Sequence, residues 1–358
     1  MTVEFIWQLP TSGDGRLANA EATRRGERTS STRPPFTPGV SDPRGASFNY
    51  FDYLHQVARA ADLSGFNGVQ IRHDLQGDES WIVAGYLARS TRHLKLVTEF
   101  EAAWGSAVYA AKNAVSFQRF TGGRLAWQIS AGSELQQRRQ QGDFVSAPDV
   151  PARIDEFLTV AHGVQTAAPF NFKGRFFEVQ DGGFKGPLAG NPPPAIYLSG
   201  DTDEAYRLSA KHADVHLLDA APVDALAPAI ADLHRLAAET GRILTIGLRI
   251  DVLARETEDE AFHDAHRYLR QSGYQPGTAD PVVGQNLWEG LSTGRTGARS
   301  AIVGSYEQVT QRLEEYVQAG IGSFVLAAIP SLEEAYRIGE HVLPQLRERI
   351  ANGAKKAA

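Results

Sequence analysis

The apolar run Gly68 to Ile71 ends in Arg72-His73-Asp74, a cation, an imidazole and a carboxylate in succession. Such a set can bind an anion or relay a proton. A solvated loop with an Asp–His pair would carry the same residues, and both readings stay open. A second set lies in Ile246-Gly247-Leu248-Arg249-Ile250-Asp251-Val252. In a strand, Gly247, Arg249 and Asp251 share one face while Ile246, Leu248, Ile250 and Val252 share the other. With the apolar face against covering helices, Arg249 and Asp251 point inward, where a charge is costly unless paired or employed. They form either a mutual ion pair or a group that handles substrate and protons.

Two polar turns complete the inventory. Trp127-Gln128-Ile129-Ser130-Ala131-Gly132-Ser133 follows one apolar run, and Tyr197-Leu198-Ser199-Gly200-Asp201-Thr202 follows another and leads into a helix starting near Asp203. Free N–H groups at a helix start favour a phosphate, although Ser and Gly there are also ordinary caps. Further on, Asn286-Leu287-Trp288-Glu289-Gly290 leads through Arg295 and Arg299 to Ala301-Ile302-Val303-Gly304-Ser305. Two arginines on a glycine-rich loop either close over an anion or stand in solvent.

The elements that must position these residues are eight short apolar runs: Val3–Leu9, Gly68–Ile71, Leu94–Phe100, Leu125–Ile129, Ala195–Leu198, Val215–Leu218, Leu244–Leu253 and Ser323–Ile329. Most are followed by an amphipathic segment. Parallel strands need crossover connections, so this alternation predicts an α/β fold, a (β/α)8 TIM barrel whose chemistry sits at the C-terminal strand ends. Helices are expected from Phe51 to a stop at Gly65, over Ala107–Phe120 to the Thr121-Gly122-Gly123-Arg124 turn, over Ala152–Ala168, and over Leu332–Ile350. Residues 180–194 read as irregular surface. One domain spans 1–350, residues 18–47 and 272–300 are candidate mobile loops on the catalytic rim, and 351–358 are expected to fray.

The 358 residues are 42% hydrophobic and 22% charged, enough for one full core. A net charge of -6 gives no electrostatic reason to bind nucleic acid or an anionic membrane. Cysteine is absent, which excludes disulfides, thiolate metal ligands and a cysteine nucleophile. No apolar stretch nears the roughly 18 residues of a membrane span, and MTVEFIWQLP lacks the charge and length of a leader, so a cytoplasmic enzyme is expected.

Four runs resemble the bacterial luciferase-like flavin monooxygenases, most closely the alkanesulfonate monooxygenases: Trp7-Gln8-Leu9-Pro10-Thr11-Ser12-Gly13-Asp14-Gly15, Asn286 to Gly290, Ala301 to Gly304, and Leu332-Glu333-Glu334-Ala335-Tyr336-Arg337-Ile338-Gly339-Glu340. The resemblance covers nearly the whole chain. It implies an FMNH2-dependent enzyme that forms a flavin peroxide with O2 and attacks a small anionic organosulfur substrate by C–S cleavage. NAD(P)H would enter only through a separate flavin reductase. It places flavin at Gln128, Ser130, Ser133, Ser199, Gly200 and Thr202, and substrate at Arg249 and Arg295; Ser12 and Arg72 join the substrate set as candidates, Arg72 as the cation that would offset Asp251. Arg249 would orient the anion while His73 or Asp251 manages protons; no metal is implied. A homodimer or higher homo-oligomer is also implied, with Tyr53, Leu54 and Tyr109 as contact candidates. The chain departs from the relatives at several points. Gly77 stands for a cysteine, Asp251 for a histidine, Ile329 for a tyrosine, Ser12 for a histidine and Pro151 for a phosphate-contacting tyrosine. Two other readings remain: a flavin or deazaflavin oxidoreductase that transfers hydride, and a non-catalytic paralogue of the flavin site.

Overall fold

The computed structural model describes residues 3–13, 49–75, 77–130, 135–271, 281–291 and 298–357. Eight parallel strands close as a (β/α)8 barrel: β1 (Glu4–Leu9), β2 (Gly68–Ile71), β3 (Lys95–Glu101), β4 (Leu125–Ser130), β7 (Ala195–Ser199), β8 (Val215–Asp219), β9 (Thr245–Arg255) and β13 (Ile321–Ala327). Each of the eight apolar runs is one of these strands. Two antiparallel strands, β5 (Phe170–Lys173) and β6 (Glu178–Gly182), form a separate hairpin, and β10 (Val282–Gly284), β11 (Leu287–Glu289) and β12 (Ser300–Ser305) extend the main sheet. That sheet runs β10-β11-β12-β9-β13-β1-β2-β3-β4-β7-β8, and β9 also pairs with β8. No helix among the described residues is long and apolar enough to cross a membrane.

The chain forms two compact units. The first comprises Met1–Leu94, Asp219–Leu226 and Leu248–Ala358. Here β1 lies between β13 and β2, with Trp7 opposite Leu326 and Val69. The Trp7 ring is buried and its indole N–H donates to Ser331 Oγ at 3.0 Å, satisfying the one polar atom it takes into the core. Helix α1 (Tyr50–Leu63) starts in a capping box between Asn49 and Asp52. It buries Tyr53, Leu54, Val57, Ala58 and Ala61, so Tyr53 and Leu54 serve this chain's own core and cannot face a partner. Among the described residues of the span expected as a loop before the last barrel strand, Val282–Gly284 and Leu287–Glu289 are strands and Ser300 begins a third. The far half of β9 pairs in parallel with β12, Asp251 opposite Ala301, and β11 adds antiparallel to β12. Leu253, Trp288, Ala301 and Val303 pack with Ala261, Ala265 and Leu269 of α8 (Glu258–Gln271). The C-terminal amphipathic segment is two helices, α10 (Ser331–His341) and α11 (Leu343–Ala357), rather than one, and helix continues to Ala357. Loop 18–47 lies outside the described residues, as do 272–280 and 292–297.

The second unit comprises Lys95–Leu218 and Ala227–Gly247. Phe100 and Trp127 meet edge-on at 5.3 Å, and both contact Phe157 of α5 (Val150–Thr166), at 6.0 and 6.1 Å. Those rings fix which faces of β3 and β4 meet the helices. By alternation Glu99 and Glu101, and Gln128 and Ser130, take the opposite, interior face. Register confirms the pairing, Glu99 opposite Gln128 and Glu101 opposite Ser130. Helix α3 (Ala107–Thr121) ends at Gly122, whose φ of +70° is the left-handed cap the sequence turn signalled. The end of β6 and a short 3₁₀ turn at Gly186–Leu188 are the regular structure within residues 180–194, and the rest of that stretch is irregular as expected.

Candidate active site

At the C-terminal end of β7, Ser199-Gly200-Asp201-Thr202 turns into α6 (Asp203–His212). The Thr202 hydroxyl caps the helix, accepting from the Ala205 N–H at 3.2 Å. A helix start leaves its first N–H groups without intrahelical acceptors and carries the positive end of the dipole. Gly200 has φ +135°, and a Cβ there would lie 2.7 Å from the Ala205 Cβ. The turn therefore requires glycine. Ser199 to Thr202 line a cleft of about 440 Å³ together with Ile129, Leu198, Arg138, Ala147, Pro151 and Ile154.

Arg138, on α4 (Leu135–Gln140), is only 3% exposed. Its Nη1 donates to the Val145 carbonyl at 2.9 Å and to Asp143 Oδ2 at 3.3 Å. Asp143 in turn holds Arg153 through two bonds of 2.7 and 2.8 Å. The Arg153 fork, aided by the Val145 N–H and Arg138, brings the Asp143 carboxyl down to about 2 against the cost of burial. Asp143 is therefore ionised, and the Arg138–Asp143–Arg153 triad carries one net positive charge. Arg138 donates to these partners through Nη1, and its side chain lines the cleft.

Beneath the turn lies His216 of β8, fully buried. Its Nε2 is 3.1 Å from the Gly200 carbonyl and its Nδ1 is 2.7 Å from Ser209 Oγ of α6, while Tyr206 meets the ring edge-on at 5.3 Å. Burial pushes the imidazole down to about 4, so it is neutral at physiological pH.

In the first unit, the strand ends gather the other candidates. Ser12 and Arg72 line one small cleft with Gln8, Thr11 and Ile329, and Thr11 Oγ1 donates to the Arg72 carbonyl at 3.2 Å. Asp251 lines another with Ile329, Tyr268 and Leu291. Ile329 is thus a wall common to Ser12, Arg72 and Asp251. His73 follows Arg72 and is half-buried. The Arg249 guanidinium is held by Asp219, the last residue of β8, with Nε at 3.0 Å and Nη2 at 2.6 Å from Oδ1. Arg299 reaches the other oxygen of Asp219 at 3.3 Å. A Cβ on Gly77 would meet the Asp74 Cβ at 3.1 Å and the Thr11 carbonyl at 3.3 Å, which leaves little room for a side chain there. Ser133 and Arg295 lie outside the described residues. No cluster of His, Asp or Glu able to hold a metal ion occurs among the described residues.

Asp219, Arg138, Asp143, Arg153 and His216 were not singled out from sequence. Asp219 had a signal, standing one residue past an apolar run as Arg72 does. Arg138 had none, because nothing in the polar segment 134–153 marks which arginine becomes buried.

A larger cavity, about 600 Å³, opens at the opposite strand ends, lined by Ala195 and Ile196 at the start of β7 and by His162, Lys211, His212, Asp214 and Arg242. Its polar groups are largely engaged by one another or by neighbours. Lys211 and His212 both bind Asp155, and Arg242 binds Asp214 and the Ala213 carbonyl. The N-terminal face of such a barrel serves stability, which leaves the other rim for chemistry.

A family model described as luciferase-like monooxygenase matches residues 29–323. The chain belongs to that family. The fold is similar to the crystal structure of a riboflavin lyase with modified FMN and riboflavin, with a TM-score of 0.74 and 17% identity over 98% of this chain and 92% of that one. An EDTA monooxygenase from Chelativorans sp. BNC1 gives 0.73 and 15% over 98% and 94%, and a long-chain alkane monooxygenase gives 0.71 and 17% over 98% and 92%. At these identities the likeness is one of fold.

Proposed function

We propose that the chain is the oxygenating component of a two-component flavin system. It would use reduced FMN from a separate NAD(P)H:flavin reductase, O2 and a small organosulfur anion, with alkanesulfonate C–S cleavage as the reaction. The observation that carries the flavin reading is the cleft at the start of α6. It joins a turn that admits only glycine to a helix start and a buried guanidinium, the donor set a phosphate dianion needs. The tyrosine that contacts phosphate in the relatives falls at Pro151, which lines this cleft and has no donor, while Arg138 lines the same cleft and supplies charge. Ser199, Gly200, Thr202 and Arg138 would hold the phosphate, and Gln128 and Ser130 on the interior face would meet the ring. Reduced FMN, when bound, supplies the electrons that activate O2.

The chain's own residues then bind and orient the substrate. Asp219 takes the Nε and Nη2 edge of Arg249, so the fork is fixed before substrate arrives. Arg249 and Arg299 both reach Asp219, which gathers two guanidinium groups at this strand end, as an anionic substrate would need. Arg72 and Ser12 would contact the substrate, with His73 or Asp251 as proton carriers. Ser133 and Arg295 join this set on the family resemblance alone.

Anaerobic titration with reduced FMN, followed by turnover with a flavin reductase, NADH, O2 and short alkanesulfonates, tests both parts. Tight binding and release of sulfite with aldehyde are expected. Absence of flavin binding overturns the cofactor reading; binding without sulfite across the series overturns the substrate reading.

A further inference from the structure

We propose that His216 is a positioning residue for the cofactor phosphate, holding the Gly200–Asp201 peptide in the orientation the cleft requires. This rests on the reading of that cleft as the FMN phosphate site. The tautomer follows from the partners. The Gly200 carbonyl only accepts, so Nε2 carries the proton and donates to it; Nδ1 is then an acceptor, and the Ser209 hydroxyl donates to it. Ser209 is itself fully buried, so this chain of two hydrogen bonds is shielded from solvent.

A trans peptide points its C=O and N–H in opposite directions. Drawing the Gly200 carbonyl down to His216 therefore turns the Asp201 N–H the other way. Gly200, at φ +135°, lies in a region where the backbone has no side chain to restrain it, so an outside group must select one orientation of this peptide. His216 is that group. It touches neither phosphate nor flavin; it acts through the carbonyl. A core histidine with only a packing role would be replaceable by any ring of its size, and the Tyr206 contact is of that kind. The hydrogen bond to Gly200 is not.

The test compares FMN with riboflavin, which lacks the phosphate, in binding titrations of the wild-type chain, His216→Phe and His216→Gln, each checked for folding by thermal denaturation. The wild type is expected to prefer FMN by about tenfold or more, since each charge-assisted bond to the phosphate contributes roughly that factor. His216→Phe is expected to lower that preference by about tenfold with riboflavin affinity unchanged. His216→Gln, whose amide keeps a donor near the Nε2 position, is expected to restore most of it. A wild type that does not distinguish the two ligands overturns the phosphate reading itself. A folded His216→Phe that keeps the full preference, or a loss that His216→Gln does not repair, overturns the positioning role and leaves the phosphate site standing. Should His216→Phe not fold, the ring 15N chemical shifts of His216 in the wild type test the same bond: a proton on Nε2 supports the role, and a proton on Nδ1 overturns it.

Discussion

Two residues of the site, Asp143 and Asp219, are carboxylates that orient arginines. Asp143 is depressed to about 2, below the ordinary carboxylate range, chiefly by Arg153. A depressed carboxyl stabilises the fold above its unfolded pKa and loses that contribution as pH falls toward the folded value. Stability from this triad is therefore complete above about pH 4 to 5 and fades toward pH 2. With allowance for solvent screening it is on the order of 1–2 kcal/mol. Asp143→Asn should remove that slope from acid denaturation monitored by tryptophan fluorescence, and weaken FMN binding because Arg138 loses its anchor. Arg249 gives a separate prediction. Arg249→Ala should raise KM or abolish turnover, a loss of roughly 2–5 kcal/mol of charge-assisted contact, with FMN affinity unchanged. Arg249→Lys should recover only part, since a point charge cannot engage Asp219 and substrate as a fork does. Unimpaired coupled turnover in Arg249→Ala would make the arginine structural.

Among the elements, those with regular apolar spacing were legible in the sequence. All eight barrel strands, the α1 and α3 stops at Gly65 and Gly122 and the α6 start near Asp203 follow from local pattern. What escaped was sheet made by tertiary pairing. Val282–Gly284 and Leu287–Glu289 are too short for alternation to register, and they become strands because β12 offers them an edge. The site was legible where chemistry sits at a strand end and opaque where it depends on which polar residue is buried. Arg255 is a case in point. At the end of β9 it binds Asp264 of α8 at 2.6 Å and Glu334 of α10 at 3.2 Å, and Arg337 also binds Glu334. One guanidinium thus ties three elements, and Glu334 is 1% exposed. Arg255→Ala leaves the buried Glu334 with Arg337 alone, so it should cost on the order of 1–3 kcal/mol in urea unfolding, and Arg255→Met with Glu334→Gln less. Equal losses in the two variants would show that packing, not charge, dominates there.

For the whole molecule, the expected self-association now rests on α3 rather than on Tyr53 or Leu54. Tyr109 is 64% and Phe120 68% exposed, three turns apart on one helix face. If the chain self-associates, these two exposed rings are the residues on α3 that would meet a partner. Light scattering at micromolar concentration should give at least twice the 39.0 kDa of one chain, and Tyr109→Glu should shift the mass toward a single chain. A wild type that scatters as one chain removes the expectation.

Helix α6 is held before its start by His216 through the Gly200 turn, and in its second half by His216 through Ser209 and by Asp155 through Lys211 and His212. A helix clamped in this way cannot fray from one terminus independently of the other. Its backbone amides should therefore exchange with deuterium as one cooperative block rather than as a gradient from the ends. A ligand that engages only its first turn should slow exchange along all ten residues from Asp203 to His212. Occupancy of the phosphate cleft would then be readable at Lys211, at the other end of the barrel wall, by a measurement that needs neither substrate nor turnover.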